Sequence, residues 1–191
     1  MKLYKIYSRA IGLLFALSLL CVGCENEDIL DINDLEISPS NPESVVIVEP
    51  DDGITSVNAL TKAINENGDA TYILRRDGVY YMEGKNVFKH NVVIKAENGS
   101  GKMPIIQPIC DAQGALNADM IRLEGSATFE NIYIIGKDAA TGNLMQRLFR
   151  IDESNVRLKF DNCFIDHCRN FCIRTDNVNN KIYLNNSTIR N

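Results

Sequence analysis

Short apolar stretches broken by polar residues recur along the second half of the chain. Residues 120–123, 148–151 and 171–174 each alternate with a period of two rather than 3.6. Such alternation is typical of β-strands, whose successive side chains point to opposite faces. We therefore predict strands rather than helices for these stretches.

Three further segments repeat one pattern without gaps: a large apolar residue, an asparagine two positions later and an isoleucine three positions after that. The asparagines are Asn131, Asn162 and Asn186, separated by 31 and 24 residues. The longer interval contains the polar segment 137–143, which we predict to be a loop. Short strands that recur every ~20–30 residues indicate a solenoid.

Two or three strands in each turn of 24 residues are the geometry of an all-β parallel β-helix. Stacked turns would align the three asparagines, whose side-chain amides we expect to hydrogen-bond along the stack. A leucine-rich repeat is the competing solenoid, but its leucine-dense consensus is absent. Chance similarity is the other alternative, since there are only three copies.

The segment before the repeats is predicted to cap the solenoid with a short helix. Thr55 or Ser56 is the expected N-cap, and Gly68 ends the helix. One face would carry four apolar residues: Val57, Leu60, Ala63 and Ile64. A helix over the open end of a β-helix covers apolar side chains and blocks pairing at the strand edge.

The order of elements in this opening resembles a known family. It consists of a helix (56–64), a strand (70–74), a segment with Gly-x-Tyr (77–80) and a second strand (92–96). That order resembles the first coil of pectate-lyase-like proteins, and within them the chondroitinase-B-like branch, over roughly residues 45–191. The resemblance implies a right-handed parallel β-helix with a short capping helix. Many lipoproteins of unknown function from polysaccharide-using bacteria share this opening, and the fold alone does not give an activity.

Residues 1–23 have the composition of an export signal. Lys2, Lys5 and Arg9 form a basic region without an acid, and residues 11–22 are almost entirely apolar. This apolar run is too short to cross a hydrocarbon core of ~30 Å as a helix. We predict a signal peptide over residues 1–23.

The end of this signal resembles the lipobox of bacterial lipoproteins, with Cys21 where leucine is usual and Cys24 as the acylated residue. We predict lipidation at Cys24 and hence a membrane partner through the lipid; an ordinary signal peptide with a chance cysteine is the alternative. Residues 24–43 are acidic and predicted to form a flexible tether. An acidic run here resembles the surface-export signal of lipoproteins, so we expect the outer membrane and outward display.

Residues 44–191 are predicted to be the N-terminal part of the β-helix domain. Asn191 follows the third repeat by two residues without a capping element, so we expect the β-helix to be incomplete at this end. After residue 23 the chain holds 17 Lys and Arg against 25 Asp and Glu, a net charge near −8. This charge argues against nucleic acid as a partner, whereas an acidic polysaccharide needs only a local basic groove.

Candidate chemistry is sparse. A polysaccharide lyase needs a cation beside the substrate carboxylate and a base for the adjacent proton. Five charged residues near the third repeat are candidates: Asp161, Asp166, His167, Arg169 and Arg174. None matches the family's catalytic motif, so we predict no catalytic residue and regard a solvated surface as the simpler interpretation. No cofactor is predicted, and calcium use stays open.

The remaining cysteines have no zinc-site spacing. They are Cys110, Cys163, Cys168 and Cys172. Although His167 beside Cys168 raises a metal interpretation, apolar packing is favoured, and the disulfide state stays open. Three functions remain: an envelope lipoprotein whose β-helix binds or helps process a polysaccharide, a β-eliminating lyase, and a non-catalytic structural or adhesive protein.

Overall fold

The computed structural model describes residues 44–190. Within this range there is one helix, and every paired strand is parallel to its neighbours. In chain order the elements are β1 (Val45–Val48), α1 (Ala59–Asn67), β2 (Ala70–Leu74), β3 (Val79–Glu83), β4 (Val87–Phe88), β5 (Val92–Ala96), β6 (Ile105–Ile109), β7 (Asp119–Leu123), β8 (Ala127–Glu130), β9 (Tyr133–Ile135), β10 (Arg147–Ile151), β11 (Arg157–Asp161), β12 (Phe164–Asp166), β13 (Phe171–Thr175), β14 (Lys181–Asn185) and β15 (Thr188–Ile189).

The strands form three parallel sheets, and from β2 onward the chain visits them in the same order in each coil. Sheet A has the order β1-β2-β5-β8-β11-β14, sheet B has β3-β6-β9-β12-β15, and sheet C has β4-β7-β10-β13. From β2 onward each coil passes from A to B to C, whereas α1 alone joins β1 to β2, and the six strands of sheet A mark about six turns. This is the right-handed parallel β-helix that was predicted, with one short helix.

The core is an apolar column enclosed by the three sheets. Phe129 and Phe160 stack with ring centroids 5.4 Å apart, and Phe149 of sheet C meets both edge-on. Ile134 of sheet B is fully buried. Because stacked coils place like residues above one another, a sequence repeat of apolar positions becomes a continuous core.

The three predicted asparagines lie at equivalent turns at the corner between sheets A and B, and within the described residues a side-chain hydrogen bond joins two of them, Asn131 and Asn162. Asn131, Asn162 and Asn186 each take a left-handed backbone conformation, with φ of 58°, 50° and 46°. Asn162 donates from Nδ2 to Oδ1 of Asn131 at 2.6 Å. Asparagine tolerates this conformation better than most residues, so each two-residue turn uses it without a glycine.

The repeated segments are strand-turn-strand units. In each unit the asparagine and the residue after it form a turn that separates a strand of sheet A from a strand of sheet B. The polar segment 137–143 lies in a loop closed by an isolated bridge between Lys137 and Leu144, which confirms its prediction.

Helix α1 contacts strands of all three sheets in the first coil and so caps it, but its predicted start is wrong. The helix begins at Ala59, and its N-cap is Asn58 rather than Thr55 or Ser56. Asp52 accounts for the difference, because its Oδ1 accepts hydrogen bonds from the backbone N–H groups of residues 54–56 and holds them in a turn.

The two ends of helix α1 are bonded differently. The N–H of Ala59 donates to the carboxylate of Asp51 at 3.2 Å. Gly68, as predicted, ends the helix with φ of 72° and donates to the carbonyl of Ile64 at 2.9 Å.

The predicted signal peptide, the lipidation site Cys24 and the acidic tether lie outside the described residues. Within residues 44–190, α1 is too short and too polar to cross a membrane.

Candidate functional site

The corner between sheets B and C differs from the others because two adjacent coils carry long loops there. Nine residues join β6 to β7 (110–118), and eleven join β9 to β10 (136–146). The next coil turns with four residues, 167–170. Gly136 starts the longer loop, where a Cβ atom would lie 2.3 Å from the carbonyl oxygen of His167. Only glycine permits this close passage of two backbones.

Asp138 holds the two long loops together. Its side chain is 1% exposed and accepts backbone hydrogen bonds from Ala140 and Thr141 in its own loop. It also accepts one from the N–H of Cys110 in the neighbouring loop, at 2.9 Å. Burial opposes ionisation of Asp138, but the hydrogen bonds from Thr141, Cys110 and Ala140 outweigh it, so its pKa is lowered.

The loops and the short turn line an open cleft of about 470 Å³. The residues that line it are mostly small or polar: Gly114, Ala115, Leu116, Asn117, Ala118, Asn143, Leu144, Gln146 and Arg169. A cleft of this size lies within the ~300–1,000 Å³ range of small-ligand sites.

Three polar residues of the cleft have side chains with no hydrogen bond or ion pair to another residue in the described part of the chain: Asn143, Gln146 and Arg169. Asn117 differs, because its amide donates to the carbonyl of Gly84 at 3.0 Å and accepts from the N–H of Ala118. Asn117 therefore shapes the cleft, whereas Asn143 and Arg169 are exposed and Gln146 is half-buried, so their polar groups are accessible from solvent. Arg169 supplies the positive charge, and its backbone N–H donates to the carbonyl of Met145 at 2.8 Å.

A second group of polar side chains lies on the neighbouring strands of sheet B. Asp166 is 2% exposed, and its Oδ2 accepts from Nε of Arg190 at 2.7 Å and from the hydroxyl of Tyr133 at 3.4 Å. Nδ1 of His167 lies 3.0 Å from Oδ1 of Asp166. Burial would raise the pKa of Asp166, but the hydrogen bond from Arg190 and the charges of His167 and Arg190 lower it.

The structure brings together only some of the predicted candidates. Asp166 and His167 are in contact, and Arg169 follows them in the same turn. Asp161 lies on sheet A, where its carboxylate is 3.9 Å from Lys159. The ammonium group of Lys159 and this carboxylate form a surface pair rather than part of the cleft.

Arg174 belongs to a different arrangement on sheet C. It aligns with Arg150 and Arg122 on successive strands. Asp152 lies 2.8 Å from Arg122 and 2.7 Å from Arg150, while Arg174 pairs with Asp176 at 3.0 Å. Each of the three arginines thus has a carboxylate partner, so Arg174 is paired, whereas the Arg169 side chain has no ion pair within the described residues.

Tyr133, Arg190 and the amides of Asn143 and Gln146 were not predicted. Tyr133 meets Asp166 diagonally across paired strands, a contact that depends on the register of β9 and β12. Asn143 and Gln146 belong to an insertion whose length could be read from the sequence. No sequence pattern indicated that the loop at 110–118 would lie next to this insertion.

Within residues 44–190, no group of three His, Cys, Asp or Glu side chains could hold a metal ion. No family model matches the chain, and no curated protein matches it significantly. The resemblance to pectate-lyase-like proteins therefore stays a prediction.

Proposed function

We propose that the chain is an envelope lipoprotein whose β-helix binds an acidic polysaccharide in the cleft between sheets B and C. The observation that carries this proposal is Arg169, an arginine without a side-chain partner in the described residues, beside the amides of Asn143 and Gln146. Guanidinium groups bind carboxylates through paired, charge-assisted hydrogen bonds, and amides bind hydroxyl groups. A uronic acid presents both kinds of group on one ring.

The charge distribution supports an acidic rather than a neutral glycan. The chain is acidic overall, with a formal net charge of −5, so the average surface does not attract a polyanion. Electrostatic attraction of a polyanion therefore requires a local cation. Among the described residues that line the cleft, Arg169 is the one that carries a charge. Binding should therefore weaken as salt screens this contact.

Calorimetric titration with a uronate oligosaccharide and with its carboxyl-reduced counterpart tests the proposal. We expect binding of the uronate form, and an affinity about tenfold lower for Arg169→Gln. Arg174→Gln is the matched control, because it removes the same charge from a residue paired with Asp176 outside the cleft. Equal losses in the two variants, or equal binding of the carboxyl-reduced sugar, would contradict the proposal.

The proposed location rests on the sequence of the first 43 residues. Lipidation at Cys24 would anchor the chain in the outer membrane, with the acidic tether directing it outward. A fatty-acid label should enter the wild-type protein in cells and not the Cys24→Ala variant. External protease should then remove the β-helix domain from intact cells, whereas full protection would exclude outward display.

A lyase that acts by β-elimination is the second candidate, and the contact between Asp166 and His167 favours it. A carboxylate that accepts a hydrogen bond from an imidazole can orient the ring as a general base, although here Nδ1 of His167 lies 3.0 Å from Asp166 without hydrogen-bond geometry. However, Nδ1 of His167 makes no hydrogen bond within the described residues, and Arg190 is already paired with Asp166, which leaves Arg169 of the same turn to bind a substrate carboxylate. Binding without cleavage is therefore the leading proposal, and a structural or adhesive role is the third.

Absorbance of the unsaturated uronate product separates these candidates. A lyase would generate product that is lost in His167→Asn but kept in Arg174→Gln. Binding without product supports the leading proposal, and neither binding nor product on a panel of glycans supports the structural role.

A further inference from the structure

The turn that carries Arg169 is flanked by two cysteines in direct contact. Cys168 and Cys172 are not joined by a disulfide bond, and their sulfur atoms lie 2.8 Å apart. Cys168 is 2% exposed, whereas Cys172 is only partly buried. The two residues therefore place one protected and one accessible sulfur at either side of the turn.

The other described cysteines lack such a partner. Sγ of Cys163 lies 3.3 Å from the carbonyl oxygen of Phe129, and burial raises the pKa of its thiol to about 11. Sγ of Cys110 contacts the hydroxyl of Thr141 at 3.6 Å. With no third His, Cys, Asp or Glu ligand grouped with the pair in residues 44–190, a metal does not explain the contact.

We propose that Cys168 and Cys172 are a redox pair that closes to a disulfide and thereby fixes the turn holding Arg169. The geometry needs little movement, because the sulfur atoms are already in contact and a disulfide bond is ~2.05 Å long. The backbone of the turn is already tied to the loop at 136–146, since Arg169 and Asn170 donate to the carbonyls of Met145 and Gln146 at 2.8 and 3.2 Å.

The oxidant is a disulfide, such as oxidised glutathione or an oxidised dithiol oxidoreductase. The thiolate of Cys172 attacks one oxidant sulfur, the oxidant S–S bond breaks, and one thiolate leaves. The thiolate of Cys168 then attacks Sγ of Cys172 and expels the second thiolate. The pair loses two electrons and two protons, and the oxidant becomes two thiols.

The accessible sulfur makes the first step sterically feasible but slow. Burial, together with the hydrogen bond and charge of Cys168, raises the pKa of Cys172 to about 12. Little thiolate is therefore present at neutral pH, and exchange with a small disulfide is limited by that fraction. Reduction of the closed disulfide requires attack at Cys172, because Cys168 is covered.

Incubation of the full chain with oxidised glutathione, followed by non-reducing tryptic mapping, tests the proposal. Trypsin cleaves after Arg169, so the disulfide should link peptide 160–169 to peptide 170–174, and reduction should separate them. Cys172→Ser should abolish the link, and Cys163→Ser should keep it. Persistent glutathione on Cys172, or a link that requires Cys163, would overturn the pair.

Amide hydrogen exchange tests the consequence for the turn. Oxidation should slow exchange of the Arg169 and Asn170 amides by about tenfold or more, because opening of the turn is restricted. Exchange at the Asn131 turn of the A–B corner should not change. Linked peptides with unchanged exchange at residues 169–170 would refute the fixed turn. Neither readout depends on glycan binding, so their failure is distinct from failure of the proposed function.

Discussion

The chain turns differently at the corner between sheets A and B (the A–B corner) and at the corner between sheets B and C (the B–C corner). At the A–B corner, the last three coils turn with two residues each, and an asparagine holds the left-handed position every time. At the B–C corner, loops of nine and eleven residues leave adjacent coils and are joined by the buried carboxylate of Asp138. The first corner is regular, and a side-chain hydrogen bond joins two of its turns, whereas the second presents polar side chains to solvent around a cleft.

This difference separates stability from recognition. A stack of identical turns satisfies its own polar groups and gains from each added coil, but it offers nothing distinctive to a ligand. Loops inserted at one corner leave the stack intact while adding polar groups that the fold does not need. Changes at the A–B corner should therefore alter stability alone, and changes at the B–C corner should alter binding.

The largest expected effect is loss of the carboxylate that joins the loops. Asp138→Ala removes the acceptor of three backbone N–H groups that hold the two loops, so we expect the free energy of unfolding to fall by about 3 kcal/mol and glycan binding to disappear. Urea denaturation and calorimetric titration measure the two effects. Asp111→Ala is the control, because Asp111 accepts bonds only within its own exposed turn, and about 1 kcal/mol is expected. Equal binding by Asp138→Ala and wild type would show that the loops need no such link.

An intermediate effect is expected at the asparagine stack. Asn162→Ala loses both the bond to Asn131 and the preference for positive φ, which together stabilise the fold by about 2 kcal/mol. Asn162→Gly loses only the bond, so about 1 kcal/mol is expected. Both variants should bind glycan as wild type does. A weaker affinity in either would contradict the separation of the two corners.

The smallest effect concerns acid. Asp138 and Asp166 both have pKa values lowered below the usual 3.8, so their stabilising contribution is present above that value and is lost as the pH falls below it. Protection factors, which correct for the intrinsic slowing of amide exchange in acid, should therefore fall at the B–C corner as the pH drops below about 3.8, while those at the asparagine turns should change less. Asp138→Asn should reduce the difference, and an equal loss of protection at both corners would refute it.

The structural features that repeat from coil to coil could be predicted from the sequence, whereas those that occur once could not. Three copies of one pattern were enough to place Asn131, Asn162 and Asn186 at equivalent turns, since stacking follows from the period alone. The start of helix α1 was mispredicted because the carboxylate of Asp52, outside the helix, accepts hydrogen bonds from the backbone N–H groups of residues 54–56 and holds them in a turn. The cleft escaped prediction because it joins loops of unequal length from two coils, and their approach depends on a single buried residue.

The polar group on sheet B shows the same limit. Asp166 and His167 were candidates because they are adjacent in sequence. Arg190 and Tyr133 reach Asp166 only through the register of neighbouring strands, which the alignment of repeats does not reveal at the level of side-chain contacts. Arg169 was a candidate as one charge among five, and only the pairing of Arg174 with Asp176 distinguishes the two.

The most direct test of the central claim is amide chemical-shift mapping of the domain during titration with a uronate oligosaccharide. We predict that the shifted amides cluster at residues 114–118, 143–146 and 169–170, and that the asparagine turns of the A–B corner do not shift. Shifts centred on sheet A or on the A–B corner, or no shifts with any acidic glycan, would contradict the account.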